Sequence, residues 1–124
     1  MTPFPPSENL AFLLEGNCWI SQVVINATSV SFLFANDCRI DAGVTLEYVS
    51  EDGVRTIHDG EWFDEGPINF HRLLETPLHK VQTDHLTMTL TFEGGRQLIV
   101  HSDLQPYEAG AVLGPKDSRV GFYF

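Results

Sequence analysis

Positive charge is scarce in this sequence. Seven lysines and arginines stand against 17 aspartates and glutamates, a formal net charge of −10 with histidine neutral. Such a field repels phosphate backbones and anionic bilayers, so nucleic acid and membrane surfaces are excluded as partners, while a basic protein is attracted. Cysteine is scarcer still. Cys18 and Cys38 have neither metal-ligand spacing nor a histidine placed to complete a zinc site, and read as thiols of a reducing compartment. No run is long and apolar enough to cross a bilayer, and MTPFPPSENL lacks the basic and apolar regions of a signal peptide, so the expected location is the cytoplasm. Catalytic motifs are missing as well. There is no GxSxG, neither cysteine has the context of a nucleophile, and Gly94-Gly95 lies in a strand-to-strand turn where no helix N-terminus could hold a phosphate.

What is present describes a packed globule. Apolar residues make up 43% of the 124 residues and nine are phenylalanine, enough for one domain spanning residues 1–124. The clearest element is a hairpin. Leu86, Met88, Leu90 and Phe92 alternate with Thr87, Thr89 and Thr91, the period of a strand with one buried face. Glu93-Gly94-Gly95-Arg96 reverses the chain, because glycine reaches positive φ without a Cβ clash, and residues 97–101 return as the second strand. Further strands are expected over residues 19–25, 29–35, 38–50, 54–58, 78–83, 107–113 and 119–124, with Ala42-Gly43 marking a bulge or break in the third.

Two short helices complete the inventory. Ser7 is placed to cap the first, with Leu10, Leu13 and Leu14 on its apolar face and Gly16 at its end. Pro67 opens the second, over residues 68–75, whose apolar face is Phe70, Leu73 and Leu74. The fold class is therefore α+β: a curved antiparallel β-sheet of about seven to nine strands, or two meanders, carrying two short helices. The halves look alike. Leu13-Leu14-Glu15 recurs as Leu73-Leu74-Glu75, and each copy leads into an alternating strand ending in Phe34 or Phe92. An internal repeat over residues 10–58 and 70–113 is the expectation.

After the hairpin comes Ser-Asp-x-x-x-Tyr-Glu, at Ser102, Asp103, Tyr107 and Glu108, and a Leu-x-Gly-x-x-x-x-x-Val element precedes it at Leu14, Gly16 and Val23 or Val24. With the Leu-x-Val strand between them, these residues resemble a group of small bacterial domains of unknown function. Some relatives of that type are immunity proteins that neutralise toxins delivered by neighbouring cells. The resemblance implies an α+β fold and brings no catalytic residues with it.

Three constellations could carry chemistry. The histidines, His58, His71, His79, His85 and His101, offer no cluster of local metal-ligand spacing beyond His71 and Glu75 four apart, so neither metal nor cofactor is expected. Asp103 and Glu108, flanking Tyr107, are the pocket candidates, since two carboxyls in a cleft can share acid and base roles. Trp62, Phe63, Asp64 and Glu65 are the partner-binding candidates: large rings amid carboxylates suit a basic protein surface. The aromatic end, Gly121-Phe122-Tyr123-Phe124, points to homodimerisation if it forms an open sheet edge. Two functions follow. One is a non-enzymatic, acidic protein-binding module, of immunity type by the resemblance; the other is a small enzyme or small-molecule binder with its pocket at Asp103, Tyr107 and Glu108.

Overall fold

A computed structural model of the chain describes residues 4–26, 29–43, 45–58, 69–102, 110–115 and 121–124. Ten strands lie among them: β1 (Ile20–Ile25), β2 (Val30–Phe34), β3 (Arg39–Ala42), β4 (Leu46–Val49), β5 (Arg55–His58), β6 (Leu78–Thr83), β7 (Thr87–Phe92), β8 (Gln97–His101), β9 (Gly110–Leu113) and β10 (Gly121–Tyr123). They form two five-stranded sheets, ordered β1-β2-β3-β9-β10 and β5-β4-β8-β7-β6, and every neighbouring pair is antiparallel. The chain is thus α+β in the coarse sense, strand-rich with short helical turns. Of the two expected arrangements, one curved sheet or two meanders, the chain adopts two separate sheets, with ten strands among the described residues.

The third expected strand explains the difference. Ile40 and Ala42 of β3 and Leu46 and Tyr48 of β4 are all buried, yet β3 pairs with β2 and β9 while β4 pairs with β5 and β8. The chain changes sheets across residues 43–45, which is what the Ala42-Gly43 break accomplishes. The hairpin of β7 and β8 is as expected. Met88, Leu90 and Phe92 are buried, and the turn Glu93–Gly95 carries φ of 89° at Gly94 and 96° at Gly95.

Both helices are 3-10 rather than α. The first spans Ser7–Leu14 and the second Phe70–Leu73. Burial recurs every third residue, at Leu10 and Leu13 and again at Phe70 and Leu73, the repeat of a three-residue turn. Ser7 does not cap. Its hydroxyl accepts the Thr83 N–H at 2.9 Å, and Thr83 Oγ1 donates to the Pro5 carbonyl at 2.7 Å, so the leader is stitched to the end of β6. Leu74 also leaves the expected apolar face. It is extended (ψ 136°) and 37% exposed, because the helix ends one residue earlier.

The two sheets bury their inner faces in one core, drawing Phe32 and Ile40 from the first and Leu46, Met88, Leu90 and Phe92 from the second. Phe70 stands edge-on to Phe32, centroids 5.5 Å apart at 88°, an arrangement that adds to the roughly 1.5–3 kcal/mol each buried ring contributes. No helix among the described residues is long and apolar enough to cross a membrane.

Candidate partner-binding junction

The residues singled out in sequence divide sharply. Trp62, Phe63, Asp64, Glu65, Asp103, Tyr107 and Glu108 lie outside the described residues. Ser102, at the head of the Ser-Asp motif, is buried just past β8; its N–H donates to the Leu86 carbonyl at 2.8 Å. The histidines do not converge. His71, His79 and His85 are exposed, His101 lies 3.6 Å from a Glu47 carboxylate oxygen, and His58 is buried with its ring 4.7 Å from that of Phe70. Among the described residues no three His, Cys, Asp or Glu side chains gather around a metal position. The helical pairing expected of His71 and Glu75 is lost, because the 3-10 turn ends at Leu73 and Glu75 has φ of 63°.

Both cysteines are free thiols. Cys38 is buried, and desolvation, then Glu15 and Asp37, push its pKa up to about 11. Cys18 is half-buried and its thiol points at the Leu78 carbonyl, 3.3 Å away.

Glu15 and Asp37 belong to a larger arrangement where β1 and β6 begin. Trp19 and Pro77 face each other in an antiparallel bridge, the Leu78 N–H donates to the Cys18 carbonyl at 2.8 Å, and the Glu75 N–H donates to the Ile20 carbonyl at 2.9 Å. On one flank the Ala35 N–H donates to the Trp19 carbonyl, and Asn36 Nδ2 donates to the carbonyls of Leu13 and Glu15 at 3.1 and 2.7 Å. On the other flank the Glu93 N–H donates to the Pro77 carbonyl at 2.8 Å. These bonds draw four exposed acidic residues, Glu15, Asp37, Glu75 and Glu93, around half-buried Trp19 and Pro77 and exposed Leu74. Among the described residues Asp37 and Glu75 are the two non-glycine residues with positive φ, at 69° and 63°; Glu75 in particular holds a conformation that costs a side-chain-bearing residue about 1–2 kcal/mol.

Three of the basic side chains are engaged with carboxylates outside this junction. Arg39 is bidentate on Asp41 at 2.7 Å, Arg55 meets Glu47 at 2.9 Å, and Arg96 reaches Glu51 at 3.5 Å. Such exposed pairs add roughly 0–1 kcal/mol each to stability, but they cancel charge locally. Among the described residues none of the four junction carboxylates has a basic partner within ion-pair distance.

A second feature is an open cleft of about 250 Å³ at the tip of the β4–β5 hairpin, lined by Tyr48, Glu51, Asp52, Thr56, Asn69 and Arg72. Asn69 Nδ2 donates to Thr56 Oγ1 at 3.2 Å across it, and Arg96 donates to the Arg72 carbonyl at 2.8 Å beside it. It is smaller than the roughly 300–1,000 Å³ of ordinary ligand pockets, and its two carboxylates project from a hairpin tip without an adjacent base.

Trp19 was legible in the sequence only as the start of a strand. The pointer to its surroundings was the recurrence of Leu-Leu-Glu, which sets Glu15 and Glu75 on either side of it. No protein-family model, curated protein or solved structure matches this chain.

Proposed function

We propose that the protein is a non-enzymatic, acidic module that binds a basic protein, acting in the bacterial cytoplasm and of the immunity type that the Ser102–Glu108 motif resembles. The observation that carries this reading is the junction: Trp19, Pro77 and Leu74 ringed by Glu15, Asp37, Glu75 and Glu93. A half-buried indole beside exposed leucine supplies the apolar anchor of a binding hot spot, and unpaired carboxylates around it select and steer cations. The Trp62–Glu65 segment, with the same combination of residue types, extends the acidic character of the surface in sequence. We read residues 10–58 and 70–113 as copies of one unit, which accounts for the paired Leu-Leu-Glu elements on the two flanks. Self-association through β10 ranks second, because it would bring together two copies that each carry ten net negative charges.

The test is affinity capture from lysate of the native cell at low and moderate salt. Wild type is compared with a variant carrying Glu15→Gln, Asp37→Asn, Glu75→Gln and Glu93→Gln, and with Asp64→Asn/Glu65→Gln. One basic protein, retained at low salt, released at moderate salt and missed by the four-site variant, is the expected result. Capture indifferent to salt and to both variants, or no specific capture, sinks the reading.

A further inference from the structure

The strand orders of the two sheets carry information that neither half shows alone. The first sheet holds β1, β2 and β3 from the N-terminal half, then β9 and β10 from the C-terminal half; the second holds β6, β7 and β8, then β4 and β5. Each half therefore builds a three-stranded meander and sends its last two strands into the sheet of the other. The correspondence extends to single hydrogen bonds. Ala35 to Trp19 matches Glu93 to Pro77, Phe34 to Cys38 matches Phe92 to Arg96, and Asn26 to Ser29 matches Asp84 to Thr87, each backbone N–H and carbonyl displaced by the same 58 positions. The irregularity in the β1–β2 register, between Ile20 and Gln22, recurs between Leu78 and Lys80 in β6–β7 at that same displacement.

The ends of the halves are cross-packed too, at a displacement of 66 rather than 58. His58, the last residue of β5, sits opposite Leu46 and stacks on Phe70 of the second 3-10 helix, centroids 4.7 Å apart. Phe124, just past β10, exchanges two backbone bonds with Gly110 and stacks on Phe4, also at 4.7 Å. The end of each half thus lies against the beginning of the other.

We infer that this protein is a strand-exchanged pair of half-length units joined in one chain, in which the partner that completes each half is the other half, so that the central connection and the two chain termini are interchangeable joints. This rests on the reading of the halves as copies, not on capture of a basic partner, which can fail without touching it. The exchange has a direct consequence. Neither half can keep its sheet without the other, since two of five strands would leave with it. The covalent link between His58 and Asn69 then serves to keep the halves together, and a linker across Phe124 and the N-terminus is expected to replace it.

Two full-length proteins test this. In the first, a specific protease site is placed within residues 59–68 and the folded protein is cut there. In the second, a circular permutant begins at Pro67, passes from Phe124 through a short glycine-serine connector to Met1, and ends at Gly66. Native mass spectrometry and hydrogen exchange are read on both. The cut halves are expected to remain in one particle with protection in all ten strands and to separate only on unfolding. The permutant is expected to be a folded monomer with one cooperative thermal transition and no loss of strand protection. Separation of the cut halves as folded pieces overturns the exchange. A permutant that fails to fold, while the uncut protein bearing the protease site folds normally, overturns the equivalence of the joints.

Discussion

His58 makes the sharpest prediction about stability. Its side chain is 3% exposed, it packs on Phe70, and Nε2 has no hydrogen-bond partner among the described residues. Burial lowers its pKa from the ordinary value of 6.5, since the charged imidazolium would lose its hydration with nothing described to replace it. The unfolded chain therefore binds a proton more readily than the folded one. Stability contributed by the neutral form is complete above pH 6.5 and falls as the pH drops toward the depressed folded value. One pH unit below the ordinary value, at pH 5.5, the loss is at most on the order of 1 kcal/mol. The slot around His58 is apolar, with the Phe70 ring 4.7 Å away, so His58→Phe replaces the imidazole by a ring suited to that environment. Urea unfolding of wild type and His58→Phe at pH 7.5, 6.5 and 5.5 isolates the effect, because the other histidines are common to both proteins. The variant should gain on wild type progressively below pH 6.5. Parallel stability profiles across that range would refute the assignment of a buried neutral imidazole.

Further outcomes follow from packing and backbone geometry. A Cβ at Gly110 would collide with the Asp41 carbonyl oxygen and lie 2.6 Å from the Phe124 ring, so Gly110→Ala should cost about 1–3 kcal/mol in denaturant unfolding and reduce amide protection in β3 as well as β9. Phe32→Ala removes a fully buried ring shared by the core and should cost about 3–5 kcal/mol, read as a fall in the denaturation midpoint at unchanged m-value. Cys18 should alkylate well before Cys38 at pH 8, because Cys38 is 1% exposed and its thiol titrates near 11; mass mapping of partially labelled protein gives the order.

Much of the architecture was legible because short-range rules decide it. The threonine-leucine alternation of residues 86–92 and the Gly94-Gly95 reversal each require nothing beyond their own neighbours. Both short helices stand where expected; the type and cap of the first differ where a distant contact intervenes. Ser7 is a good cap in isolation, but the end of β6 offers its hydroxyl a backbone N–H, and the turn tightens around Leu10 and Leu13. The point at which the chain crosses between sheets was hidden for a similar reason. Nothing local distinguishes a bulge at Ala42-Gly43 from a crossing between sheets; the outcome depends on β9 pairing with β3 from nearly 70 positions away. The binding junction escaped for want of the same long-range pairing. Trp19 and Pro77 are 58 positions apart, and only their bridge reveals that Glu15, Asp37, Glu75 and Glu93 share a neighbourhood.

That neighbourhood is where the proposed binding surface can be told from a merely solubilising one. Four exposed carboxylates on neighbouring segments, without described counter-ions, carry like charges whose mutual repulsion weakens as salt rises. Glu75 adds backbone strain at φ of 63°. If the carboxylates served only solubility, spreading them over the surface would do as well without either cost. Neutralising them should therefore raise the thermal midpoint modestly at low ionic strength, with the gain vanishing at high salt, while capture of the basic partner is lost. Calorimetry and capture on the same four-site variant give the two readouts. A structural role predicts that stability and binding fall together; a site held at the expense of stability predicts that they move in opposite directions, and a drop in the midpoint at low salt would refute the second account.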